Sequence, residues 1–146
     1  MSSTYVSAEL RRLVISRATN LCEYCLIHED DTYFGCQIDH IISEKHGGLT
    51  ESENLAYACS YCNRFKGSDI GSVFWKTGEF VRFFNPRIDN WRDHFKLEQH
   101  NILPLTDIGE VTNRILRLND IDRLLERREL WLFGRYPSPE AIAVIS

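Results

Sequence analysis

Four cysteines stand as two Cys-x-x-Cys pairs, Cys22 with Cys25 and Cys59 with Cys62, and Asp39, His40, Asn54 and Asn63 lie between and beside them. Thiolates two residues apart chelate one ion through a tight turn. Two such turns complete a tetrahedral Zn²⁺ site with no open position, so the ion is structural. A redox role for the pairs needs a surrounding βαβ pattern, and the chain has none. The fifth cysteine, Cys36, lies in a strand-like run and reads as a small buried side chain.

The second set offers different chemistry. Hydrolysis of a phosphodiester needs a base to activate water, a cation to neutralise charge on the phosphate and leaving oxygen, and a frame for both. Histidine suits the first role near neutral pH. Aspartate and asparagine oxygens suit Mg²⁺, which takes hard ligands and keeps several waters. Asp39 and His40 are adjacent, so a regular strand would point them to opposite faces. On spacing alone, an Asp-His pair is more often a hydrogen-bonded surface pair than a catalyst.

Composition sets bounds. The 146 residues fit one domain, and 43% hydrophobic with 26% charged residues is ordinary for a globular protein. No apolar run approaches a membrane span, and the first residues lack the basic and apolar regions of a signal peptide, so the expectation is a cytoplasmic protein with no membrane partner. A reducing compartment favours metal over disulfides for the cysteines. Net charge is −4 and the pI about 5.7, awkward for binding phosphates. The balance reverses between Asn63 and Lys96, where Arg64, Lys66, Lys76, Arg82, Arg87, Arg92 and Lys96 outnumber the acids. A local basic face, or a protein partner, would resolve the conflict.

The elements that must position these groups read as follows. Ser7 caps a helix ending near Asn20. Residues 35–42 have strand character, 43–50 form a loop marked by Gly47-Gly48, and Leu55 to Cys59 is a second strand. Ser60 to Lys66 is a short helix stopped by Gly67. A hairpin turns at Thr77-Gly78, Asn85-Pro86 breaks the run, and a second hairpin joins 94–98 to 102–105. Two helices follow. The first runs from about Asp107 to Leu118, and the second from about Asp120 to Leu132 with Ile121, Leu124 and Leu125 facing inward. Arg127-Arg128 reads as a solvated face, and residues 137–146 as a tail without assignment. This mixture predicts an α+β fold in a single domain, 1–146.

Cys22-Glu-Tyr-Cys25, Ile38-Asp39-His40-Ile41-Ile42, His46-Gly47-Gly48-Leu-Thr50, Glu53-Asn54-Leu55 and Cys59-Ser-Tyr-Cys62-Asn63-Arg64-Phe-Lys66-Gly67 occur in that order. Residues 20–69 thereby resemble an HNH endonuclease of the four-cysteine type. The resemblance implies a ββα-metal motif, two strands and a helix around a divalent ion, clamped by a zinc site of four cysteines. It implies His40 as general base, Asp39 and Asn63 as ligands of a catalytic Mg²⁺ or Mn²⁺, and Asn54 as the brace of the loop that orients the histidine. The step from Asn54 to Asn63 is similar to that in the HNH domain of CRISPR nucleases. Ser43 stands where many members have proline, and Asn63 where many have histidine. An asparagine there favours Mg²⁺ or Mn²⁺ over Zn²⁺.

Residues 70–136 form a hairpin and helical extension. Phe84-Asn-Pro-Arg87, Trp91 and His94-Phe95 resemble the C-terminal extension of stand-alone bacterial HNH proteins. Trp91 and Phe95 read first as core. Lys45, His46, Arg64, Lys66 and Arg87 are the nucleic-acid-binding candidates; His46 reads equally as a polar turn residue. The expected function is metal-dependent hydrolysis of DNA. A catalytically silent zinc-clamped binding or adaptor module stays open, as does a nuclease preferring RNA or single strands.

Overall fold

The computed structural model describes residues 5–146. Its first helix, α1 (Ala8–Ala18), starts where the Ser7 hydroxyl accepts from the Leu10 amide and stops at Thr19 in the left-handed region. The chain then makes the first cysteine turn. β1 (Cys36–His40) and β2 (Leu55–Cys59) form an antiparallel ribbon in which Cys36 faces Cys59 and His40 faces Leu55. β2 runs directly into α2 (Ser60–Lys66), whose N-cap is Cys59 itself.

Alternation along the ribbon divides its neighbours. Cys36, Ile38, Leu55 and Tyr57 lie on the face covered by Val14 and Ala18 of α1. Gln37 and Asp39 lie on the other face, where Asn63 and Lys66 of α2 reach them. A two-stranded ribbon is marginal alone; here both faces carry a helix.

Two further hairpins follow, β3 (Gly71–Val73) with β4 (Phe80–Arg82), then β5 (Phe95–Glu98) with β6 (Asn101–Pro104). The short helix α3 (Trp91–His94) leads into β5. Helices α4 (Asp107–Leu116), α5 (Ile121–Leu132) and α6 (Pro139–Ile145) complete the chain. The larger core joins the cysteine turns to Phe83, Phe84, Trp91, Phe95, Ile102, Val111, Leu116 and Leu118. Trp91 and Phe95 are therefore core. The indole N–H of Trp91 donates to the Tyr24 carbonyl at 2.8 Å, and the Tyr136 hydroxyl to the Cys25 carbonyl at 2.7 Å. The extension is thus bonded directly to the first cysteine turn.

Three expectations need correction. Ile121 and Leu125 of α5 face outward, at 68% and 50% exposure, while Arg123 and Arg127 are buried at 5% and 2%. Arg127 is no solvated residue: it donates to the His100 and Leu118 carbonyls and to the Asn119 side chain. Arg123 Nη1 donates to the Leu116 carbonyl at 2.8 Å. The two arginines take up carbonyls that the end of α4 leaves without helical partners. The segment read as a tail carries α6, begun by Ser138, whose hydroxyl accepts from the Ala141 amide. Among the described residues no helix is long and apolar enough to cross a membrane.

Gly109 of α4 sits against the end of α3: a Cβ there would lie 2.3 Å from the His94 carbonyl oxygen. Gly109→Ala is expected to destabilise the protein by about 1–3 kcal/mol, the usual cost of overpacking, read as a lower urea midpoint.

Candidate metal centre and nuclease site

The sulfurs of Cys22, Cys25, Cys59 and Cys62 all lie within 4.8 Å of one another, and all four residues are buried. The Cys25 and Cys59 sulfurs are 3.7 Å apart. A tetrahedral ion with Zn–S bonds of about 2.3 Å requires sulfurs about 3.8 Å apart, so the donor set and its spacing fit Zn²⁺. Each pair is a knuckle: the Cys25 amide donates to Cys22 Sγ and the Cys62 amide to Cys59 Sγ, both at 3.5 Å. Leu26 turns the first knuckle with a φ of 65°, a conformation that costs a non-glycine residue free energy.

Arg123 completes the centre. Its Nη2 donates to Cys62 Sγ at 3.1 Å and lies 3.6 Å from Cys59 Sγ. Burial alone would push its guanidinium down, but Cys62, Cys25 and Cys59 hold it well above its ordinary range. Four thiolates around one dication would leave about two negative charges, and Arg123 is placed to offset one inside the core. Sequence reasoning missed it because arginines are almost never buried unless paired. The only signal was the i,i+4 spacing of Arg123 and Arg127.

The second set of residues gathers at the ends of the same ribbon. Asn54 ties the loop after β1: its Nδ2 donates to the Ile42 and Leu49 carbonyls, both at 2.9 Å, and its Oδ1 accepts from the Ile42 amide at 2.8 Å. Gly48 makes that loop feasible, since a Cβ there would fall 1.7 Å from the Ile42 carbonyl oxygen. His40 is half-buried, and its Nε2 lies 2.8 Å from Thr50 Oγ1.

Asp39 sits at 4% exposure, its Oδ2 accepting from Tyr24 at 2.8 Å and its Oδ1 paired with Lys66 Nζ at 3.2 Å. Burial pushes its carboxyl up, and Lys66 and Tyr24 pull it back. Lys66 also donates to the His40 carbonyl and is 1% exposed. As placed, it holds β1 and does not offer its charge to a phosphate. The Asn63 side-chain amide donates to Gln37 Oε1 at 2.5 Å.

Among the other candidates, Lys45, His46 and Arg64 are exposed. Arg87 is mostly buried and ion-paired with Glu23, beside the end of α1.

A ββα unit closed by four thiolates is the frame of an HNH nuclease segment, and residues 22–69 match the HNH endonuclease family. That segment is of the four-cysteine HNH type. Septu protein PtuB of Bacillus thuringiensis is 23% identical over 131 residues, covering 88% of this chain and 48% of that protein. The chain thus spans about half the length of this curated relative. No solved structure matches it.

Purified protein should contain about one zinc per chain. Arg123→Met keeps the volume but removes the charge beside Cys62. It should release zinc to a chromogenic chelator at least several-fold faster than the parent, whereas the exposed Arg128→Met should not. Equal release rates would show that Arg123 does not support the metal.

Proposed function

We propose that the protein is a metal-dependent endonuclease that hydrolyses DNA phosphodiester bonds, with His40 as general base. One observation carries this reading. Inside the segment of HNH type, His40 is fixed by Thr50 on a loop that Asn54 ties at three points, directly after the oxygen donor Asp39. With Nε2–H donated to Thr50, Nδ1 is left to take the proton of an attacking water. Asn54 keeps the loop, and with it the imidazole, in one place. Asp39 and Asn63 would hold Mg²⁺ or Mn²⁺, which when bound supplies charge neutralisation at the phosphate and leaving oxygen. Lys45, His46 and Arg64 are exposed and would contact the backbone.

The acidic pI calls for help in binding, and a protein partner with a basic surface is consistent with it. RNA fits the same chemistry, because a site that reads phosphate need not read the sugar. A second reading, a zinc-clamped module that binds nucleic acid without cutting it, draws on the closed state of Asp39 between Tyr24 and Lys66.

His40→Ala separates the two. A positioned base contributes about 10²–10⁴-fold, so the single-turnover rate of plasmid cleavage should fall by that factor. DNA affinity and zinc content should stay near the parent's. A variant that cuts like the parent would refute the assignment, and a parent that binds but never cuts, with any divalent ion, would favour the silent module.

A further inference from the structure

A line of cations and rings runs from α2, past the end of α4, to the β3–β4 hairpin. Arg64 of α2 and Arg117 at the end of α4 share one ring: their guanidinium carbons lie 4.9 and 4.8 Å from the Phe65 centroid. Arg114 stands three residues before Arg117. It lines a cleft of about 320 Å³ together with Val73 and Trp75 of the hairpin. Trp75 is 67% exposed, and Lys76 Nζ lies 5.4 Å from its ring centroid.

Packing does not account for this line. The hairpin is held by Phe74 and Val81, which pack against the core, so Trp75 is left outside. Arg64 and Arg114 are exposed and form no ion pair among the described residues. The carboxylates that meet the other two cations are Glu110, 3.6 Å from Lys76, and Asp120, 3.9 Å from Arg117. Exposed pairs of this kind contribute little and leave the cations open to a competing anion. Arg117 also takes a left-handed backbone, φ 54° and ψ 47°, which glycine or asparagine adopts at less cost. The strained position carries a long cation over Phe65, and strain of this kind gathers at binding sites.

The line adjoins the nuclease segment. Arg64 follows Asn63 on α2, and the Ser43 hydroxyl, on the loop after His40, donates to the Ser68 carbonyl between α2 and β3. We infer that this surface receives an unpaired strand of nucleic acid, with phosphates on Arg64, Arg114 and Arg117 and a base stacked on Trp75. Calling that strand the substrate rests on the nuclease reading; the binding surface itself does not.

The chemistry favours such a strand over a duplex or an acidic protein. Rings alternating with cations match bases alternating with phosphates, and every base has a face that stacks on an aromatic ring. Inside a duplex both faces of a base are covered by its neighbours, so a tryptophan in a cleft reaches a base only when it has left the stack. The guanidinium forks match phosphate oxygens two at a time.

The test uses the full-length, zinc-loaded His40→Ala protein without Mg²⁺, titrated with oligo-dT, oligo-rU and a duplex of the same length. At least one single strand should quench the tryptophan emission. Trp75→Leu should abolish most of that quenching and weaken single-strand binding by about fivefold or more. Arg64→Gln and Arg117→Gln should each lower the slope of log affinity against log salt by about 0.7, and the exposed Arg128→Gln should leave it unchanged. Parent-like quenching and affinity in Trp75→Leu, parent slopes in both arginine variants, or binding of the duplex alone overturns the surface. If a variant fails to fold, photocross-linking of a 5-iodouracil strand to the unsubstituted surface decides: adducts on the peptide of Trp75 support it, and adducts only elsewhere overturn it. Quenching through Trp75 in a protein whose parent cuts no nucleic acid keeps the surface and removes the nuclease reading. Cutting by the parent while no single strand reaches Trp75 does the reverse.

Discussion

Four sulfurs within 4.8 Å of one another, drawn from two turns 34 or more positions apart in the chain, set the constraint on which this fold depends. Among the described residues its sheets are three separate two-stranded ribbons, each marginal without support. Thiols brought together in a core without a metal would have every reason to separate; thiolates around Zn²⁺ turn the same contact into a clamp, and metal binding becomes part of folding. One cysteine turn lies at the end of α1 and the other between β2 and α2. The clamp thereby fixes the ribbon against its helix and sets the relative position of Asp39, His40 and Asn63.

The extension is built onto the same clamp. Trp91 and Tyr136 donate to carbonyls of the first turn, and Arg123 donates to a sulfur of the second. These bonds come from α3, α5 and the approach to α6, elements far apart in the chain. The position of Arg123 is itself fixed by the carbonyl of Leu116 at the end of α4. A chain with little regular sheet thus gathers its peripheral elements through polar side chains aimed at one centre.

The ββα unit was legible in the sequence because its signals are local. Ser7 caps a helix, Gly67 ends one, and the strand character read from Ile38, Ile41 and Ile42 over 35–42 is realised as β1. The cysteine spacing predicts a cluster that the fold assembles. The polar centre of the extension was not legible. Periodicity places Ile121 and Leu125 inside α5, whereas burial there goes to Arg123 and Arg127, whose partners are carbonyls at the end of another helix. The closure of Asp39 by Tyr24 and Lys66 was equally hidden, since it depends on a tyrosine within the first cysteine turn and a lysine at the end of α2. Lys66 counts as basic surface in the sequence and as a buried ion-pair partner in the fold.

The proposed division of labour between a structural zinc and a separate hard cation at Asp39 and Asn63 is the centre of this account. It is tested most directly by stripping weakly held ions with EDTA while confirming that one zinc per chain remains, then measuring cleavage of supercoiled plasmid with and without added Mg²⁺. The account predicts no cleavage by the zinc-loaded protein alone and full recovery with Mg²⁺ or Mn²⁺. Cleavage at the same rate without either ion, by protein whose only metal is the thiolate-bound zinc, would contradict it.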